Sequence, residues 1–385
     1  MKRPTLIATG IVIILFMVGI WVYLLAYGAP KQTSEVFTNL GVFEPVEEIR
    51  TIEPELLEEE GVTNLALDGS KLEQLTTKAV AGYIFSGNVF YVERGTGYIF
   101  EIDIASKTER QISPITVPQA ASAVFSPNNT KVAITSYTGY ESHSVLLPTY
   151  NEVGEEARLA SLPVNAQNIA FEDDETLYYT ITEDGRTFAY AYNTKTLKSS
   201  QLFTTPLIDP VVYWGNQVEG IYVHTKPSTN AEGYVYEVQG SSFVPVFEGA
   251  KGLTAFRQAV ATIVTYIEDA KYRSTALWVG YTIDQALAVI PEKCVVDMVM
   301  LGTWCAAPVD AIPASYLEDW YKGAITSEDQ LWYTQFETGQ SIQMANLSEL
   351  SGRTIDVSSM KINTEDGHIL FTNKPDASLW LYRIK

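Results

Sequence analysis

Histidine and cysteine are almost missing from this chain: 385 residues hold three of the first, His143, His224 and His368, and two of the second, Cys294 and Cys305. A zinc centre needs three or four converging nitrogen, sulfur or oxygen ligands. The histidines lie far apart with neither HExxH nor HxH spacing, so no metal ligand is assigned and all three read as ordinary surface or loop residues. The phosphate-cradling GxxxxGK[ST] and the nucleophile elbow GxSxG are absent as well. Ser358-Ser359-Met360-Lys361 matches SxxK, but its SDN and KTG companions are missing. The match also falls near an expected strand, where serine and lysine do not meet as they do across a helical turn. No catalytic residue and no cofactor follows from these patterns. Positive charge is short too: 26 Lys and Arg stand against 46 Asp and Glu, a net charge of −20. An acidic surface repels phosphates and argues against nucleic-acid partners; its plain reading is solubility.

Methionine is scarce (6) while tyrosine is abundant (23), a balance that suits strands. Hydrophobic content of 46% excludes a disordered chain. Residues 6–27, LIATGIVIILFMVGIWVYLLAY, contain no charge. A helix needs about 20 such residues to cross the hydrocarbon core. Lys2 and Arg3 precede the run and an acidic segment follows it, so the positive-inside rule places the five-residue tip 1–5 in the cytoplasm and the rest outside the cell membrane. Trp21, Tyr23 and Tyr27 gather at its outer end. The competing reading is a cleaved signal peptide, whose apolar core is shorter, about 7–15 residues. The lipid bilayer is thus the first expected partner. Residues 28–71 carry Pro30, Pro45, Pro54 and the acidic run Glu58-Glu59-Glu60 without a sustained apolar period, and read as a stalk.

Residues 72–385 carry an internal repeat. An apolar, aromatic run returns at Tyr98-Ile99-Phe100, Ser144-Val145-Leu146, Phe188-Ala189-Tyr190, Tyr234-Val235-Tyr236, Leu277-Trp278-Val279, Leu331-Trp332-Tyr333 and Leu379-Trp380-Leu381, with starts 43 to 54 residues apart. Blades of four antiparallel strands need about 40–50 residues each. The pattern therefore predicts an all-β, seven-bladed β-propeller, with six or eight blades as alternatives. Hairpin turns such as Glu183-Asp184-Gly185 separate the runs from the strands before them. Alternation puts Tyr98, Phe100 and Ile102 on one face and Glu101 and Asp103 on the other. The chain ends after a third strand, and residues 72–77 (LEQLTT) resemble the outer strand around 109–113 (ERQIS). That N-terminal segment is expected to complete the last blade and close the ring, because an unpaired edge exposes backbone donors and acceptors.

Phe125-Ser126-Pro127-Asn128-Asn129 resembles the FSPDG turn of WD40-like, TolB-type propeller repeats. Leu75 to Gly82, Tyr91 to Gly97, Cys305-Ala306-Ala307-Pro308, Asp319-Trp320-Tyr321-Lys322-Gly323 and Asp329-Gln330-Leu331-Trp332 extend the likeness. They resemble a group of uncharacterised, membrane-anchored bacterial propeller proteins, in which the two cysteines flank a hairpin in a late blade. The resemblance implies fold and topology and no activity.

Cys294 and Cys305, an even pair close together in an exported domain, read as a structural disulfide; two buried thiols are the alternative. The acidic runs Glu172-Asp173-Asp174-Glu175 and Glu365-Asp366 read as hairpin turns rather than paired catalytic carboxylates. Residues 306–323 form an insertion that accounts for the widest repeat interval. Its Tyr316, Glu318, Asp319, Trp320 and Tyr321 make a candidate binding loop, unless the rings pack back onto the propeller and cover its end. The leading functional expectation is a binding or scaffolding module for a protein, peptide or glycan. Alternatives are a hydrolase or lyase working in the central channel, and an envelope-assembly factor.

Overall fold

Strand after strand is turned back by a residue that tolerates a left-handed backbone. Glu183 pairs with Arg186 across Asp184 (φ 49°) and Gly185 (φ 72°), the two positive φ values of a tight hairpin turn. At Phe125-Ser126-Pro127-Asn128-Asn129 the buried Ser126 Oγ accepts from the amides of Thr130 and Lys131, both at 3.1 Å, and Asn129 takes φ 55°. The FSP run is thus a self-closed turn. Glu172 to Glu175 is a turn as expected: Asp173 Oδ1 accepts from the amides of Glu175 and Thr176, both at 2.7 Å. Asn363 Oδ1 does the same for Glu365 and Asp366.

The computed structural model describes residues 71–384 apart from 114, 151–159, 216–218, 286, 311 and 314. The expected tip 1–5, span 6–27 and all but the last residue of the stalk 28–71 lie outside these. No helix among the described residues is long and apolar enough to cross a membrane.

Among the described residues, six antiparallel sheets follow one another. The first three are four-stranded and cover Val80–Ser86 to Thr108–Ser113, Ala120–Phe125 to Ala160–Ser161, and Gln167–Phe171 to Lys198–Thr205. The fourth holds seven strands, from Val211–Tyr213 to Tyr281–Asp284. Its long central strand Ser242–Gln258 pairs through residues 242–251 with Glu232–Gln239 and through residues 251–258 with Ala261–Glu268. The fifth runs from Cys294–Asp297 to Ser341–Asn346. Every repeat run identified in the sequence falls on a strand with a partner on both sides, with Tyr98 and Val279 one residue outside theirs.

The sixth sheet joins the two ends of the described chain. Leu72–Thr76 pairs antiparallel with Leu379–Arg383, followed by His368–Asn373 and Val357–Asn363. Ring closure by the N-terminal strand is therefore as expected. Glu73, 5% exposed, receives Arg383 Nη2 at 2.5 Å from its own sheet and Lys107 Nζ at 3.0 Å from the first. Burial alone would raise the Glu73 carboxyl, but hydrogen bonds from Arg383 and Lys107 outweigh it and hold the group below its usual 4.5. A depressed carboxyl contributes stability above the unfolded value, and the contribution is lost as pH falls through the folded one. Thermal unfolding of Glu73→Gln should begin well below the wild type at pH 7, and the two melting temperatures should converge as the pH falls below the ordinary carboxyl value of 4.5. Parallel curves at every pH would mean that the carboxylate does not hold the closure.

The core lies between sheets rather than inside any one of them. Ile369 and Phe371 of the closing sheet pack on Val295, Trp304 and Leu331 of the fifth, while Leu370 between them packs on Tyr83, Val89 and Tyr91 of the first. Both faces of a sheet are covered, so its strands read as near-continuous apolar runs. The cover extends to Glu101, on the face opposite Phe100 and Ile102. Glu101 is only 7% exposed and receives Asn88 Nδ2 at 2.6 Å and Arg110 Nε at 2.7 Å.

Candidate functional site

The fifth sheet carries a disulfide and a long excursion. Cys294 and Cys305 face each other in register and are bonded, with Cα atoms 4.1 Å apart. Ala306, Ala307 and Pro308, expected to open the insertion, belong instead to the strand Gly302–Pro308. The excursion is thus residues 309–328, and its only helix among the described residues is α1 (Tyr316–Tyr321).

Three strand beginnings bring together the charges that fasten α1. Lys293 ends the 3-10 turn Pro291–Lys293 just before the fifth sheet's first strand, Asp329 opens its third, and Asp356 precedes Val357–Asn363. All three are completely buried. Lys293 Nζ donates to Asp356 Oδ1 at 2.6 Å, Asp329 Oδ2 at 2.7 Å and Ser327 Oγ at 2.7 Å. Tyr316 donates to Ser327 Oγ at 3.0 Å, and Trp320 Nε1 donates to Asp356 at 2.9 Å. Lys374, from the closing sheet, lies 4.2 Å from the Trp320 ring centre and donates to the Trp320 carbonyl at 2.5 Å. Burial alone would lower the Lys293 ammonium, but the Asp329 and Asp356 charges override it and raise the group above its ordinary value. A lysine held charged cannot take a proton from Ser327. The Ser327–Lys293 contact is therefore a fastening, not a nucleophile and base.

Beside this fastening, α1 roofs a cavity of about 430 Å³ lined by Val211, His224, Thr254, Glu292 and Tyr321, with Lys226 and Lys322 among its other walls. Glu318 ties the roof to the fourth sheet, accepting from the Thr229 amide at 2.6 Å and from its hydroxyl at 3.0 Å. Tyr321 OH lies 3.0 Å from Thr254 Oγ1. A second cavity of about 440 Å³ shares Val211 and Lys226 with the first and reaches Asn168, Tyr137 and Tyr140. Tyr137 is half-exposed and Tyr140 fully exposed.

Solved structures share this arrangement of sheets. The β-propeller domain of Cps50 (Swd1) from Myceliophteria thermophila superposes with a TM-score of 0.53 at 7% identity, over 82% of this chain and 100% of that one. The β-propeller domain of the trilobed protease from Pyrococcus furiosus gives 0.51 at 10% identity, over 76% and 90%. The fold is a β-propeller. A chain of the mitotic checkpoint complex is also similar, with a TM-score of 0.51 at 8% identity over 90% and 99% of the two chains. No protein-family model matches, and no curated protein is similar in sequence.

Within the propeller, the five residues of the candidate loop are held together on α1 but face different ways. Tyr316 and Trp320 are 3% and 5% exposed and point into the fastening, whereas Tyr321 is 38% exposed with its hydroxyl turned inward. Glu318 and Asp319 are half-buried. The SxxK pair does not converge: Ser358 Oγ lies 2.9 Å from Thr372 Oγ1, while Lys361 donates to the Tyr83 carbonyl at 2.5 Å. His224 corrects the surface expectation. It ends a strand, is 1% exposed and stacks on Tyr213 at 5.7 Å. Neither Glu292 nor His224 carries a spacing signal, because their cavity joins segments from the fourth sheet, the Pro291 turn and α1. Among the described residues no group of His, Cys, Asp or Glu side chains is arranged to hold a metal ion.

Proposed function

We propose that this chain is a membrane-anchored, extracytoplasmic propeller of seven blades that serves as a binding module, and that its partner, a protein, peptide or glycan, docks on the face carrying residues 309–328. Taking the seven-stranded sheet as two blades that share Ser242–Gln258 supports the count of seven. The uncharged run 6–27 behind Lys2 and Arg3 supports the anchor. The observation that carries the binding reading is the pair of adjoining cavities with Tyr137, Tyr140 and Tyr321 at their edges. Exposed tyrosines supply large contact area at small entropic cost. Inter-sheet packing and the buried charges keep the scaffold beneath them rigid. The similar chain in the mitotic checkpoint complex works inside an assembly, which supports the same use here.

Cross-linking on intact cells, followed by capture of the full-length protein, tests the reading. A specific partner should be recovered with the wild type and lost with Tyr137→Ser/Tyr140→Ser and with Tyr321→Ala. Trp320 is the wrong residue to change, because it is a structural ring. Equal recovery with all variants would place the partner elsewhere.

A further inference from the structure

Two buried atoms that line the cavity under α1, on His224 and Glu292, lack a hydrogen-bond partner. His224 Nδ1 lies 2.7 Å from the Thr225 carbonyl. A carbonyl only accepts, so Nδ1 carries the proton and Nε2 presents a lone pair. Nε2 has no hydrogen-bond partner, and neither has the buried Glu292 Oε2. Buried polar atoms left unpaired cost free energy, so the two point to an absent donor.

The nearby cations each face a carboxylate other than Glu292. Lys293 belongs to Asp329 and Asp356. Lys226 lies 3.9 Å from Asp209 and Lys322 lies 3.6 Å from Glu318. The walls include the Tyr321 and His224 rings and the Val211 side chain, and Tyr213 stacks behind His224. Aromatic faces and a carboxylate oxygen that lacks a donor together favour a cation with an apolar body. We infer that this cavity binds a primary ammonium group carried on an apolar stem, donating to Glu292 Oε2 and His224 Nε2. Lysine side chains and peptide N-termini share that chemistry. The inference rests on the binding-module reading and names the chemistry of one subsite on that face.

Protonation supports the geometry. Burial pushes the Glu292 carboxyl up to about 7 despite the Tyr321 hydroxyl beside it. Burial pushes His224 down to about 4 against the Thr225 and Ala255 carbonyls. The phenols of Tyr213 and Tyr321 are raised by burial, and Glu318 is held low by Thr229. Between pH 6 and 8, Glu292 is thus the wall group that changes charge.

Calorimetric titration of the full-length protein with Nα-acetyl-lysine methylamide, phenylalanine amide and Nα,Nε-diacetyl-lysine methylamide tests this. The first probe carries a side-chain ammonium, the second an α-ammonium, and the third neither. One or both charged probes should bind, and which of them does separates the two sources; the neutral probe should not bind. Lysine-probe affinity should rise about tenfold from pH 6 to pH 8, following the ionised fraction of a carboxyl near 7. Glu292→Gln should weaken it at least tenfold while melting no lower than the wild type, because it removes a charge that burial disfavours. Equal binding of the neutral probe, unchanged affinity in Glu292→Gln, or no binding of any probe at millimolar concentration would overturn the inference. Partner capture that persists in Glu292→Gln but fails in Tyr137→Ser/Tyr140→Ser would leave the binding face intact and remove this subsite alone.

Discussion

Replacing Lys293 by methionine is expected to destabilise the protein by about 3–5 kcal/mol, the usual result of removing one partner from a buried ion pair. The methionine fits the space, so the loss comes from charge rather than volume. Asp329 and Asp356 are left fully buried with no cation within their hydrogen bonds. Burial already raises the Asp329 carboxyl against the opposing pull of Lys293, so without the lysine it takes up a proton more readily. The damage should also be local. Trp320 and Tyr316 reach the propeller through Asp356 and Ser327, so residues 309–328 should become sensitive to limited proteolysis before the sheets unfold. Combining Lys293→Met with Asp329→Asn and Asp356→Asn should recover part of the stability, because no naked charge remains. Denaturant titration of the single and triple variants checks both statements. A loss below about 1 kcal/mol for Lys293→Met, the range of exposed pairs, would mean that water reaches the cluster.

Gly82→Ala should be nearly as damaging, for a reason unrelated to charge. A Cβ at position 82 would sit 1.9 Å from the Ala123 carbonyl oxygen and 2.7 Å from its carbon. These are backbone atoms of the neighbouring sheet, so no side chain can swing aside. Relief requires the first and second sheets to part, which opens the packing of Val92 and Ile99 against Val132 and Ile134. Overpacking of this kind costs about 1–3 kcal/mol and sometimes more, and a rigid backbone neighbour puts Gly82 at the upper end. The melting temperature should fall by roughly 5–10 °C. Gly87→Ala is the control. Gly87 has φ 74° and open space around it, so it should lose only about 1 kcal/mol through backbone strain. Equal losses at the two positions would show that close approach does not limit the seam.

Much of the fold is written locally. Runs such as Tyr98-Ile99-Phe100 and Leu379-Trp380-Leu381 declare strands by their side chains, and turns such as Asp184-Gly185 declare hairpins by the backbone they permit. Repetition at an even spacing then implies stacking, and a C-terminus one strand short of a blade implies that Leu72–Thr76 closes the ring. The cysteine pairing was legible because the chain holds only two cysteines, 11 residues apart; the register that sets Cys294 opposite Cys305 comes from the sheet.

The site was far less legible. Lys293 meets residues 36 and 63 positions away, and no local pattern encodes such an encounter. A lysine or aspartate in a sequence reads as solvated, and only the convergence of three strand beginnings makes it a core residue. In sequence Trp320 reads as a docking ring or as one packed back onto the propeller; the Asp356 carboxylate beneath it and the Lys374 ammonium beside it decide for packing. His224 reads as a loop histidine until the fourth sheet folds and covers it. By itself the sequence determined the strands, the turns, the closure and the disulfide, because each depends on residues near one another or on repetition. Tertiary structure alone decided which polar groups lost their water and which found partners, because desolvation is set by every segment that arrives at a point in space.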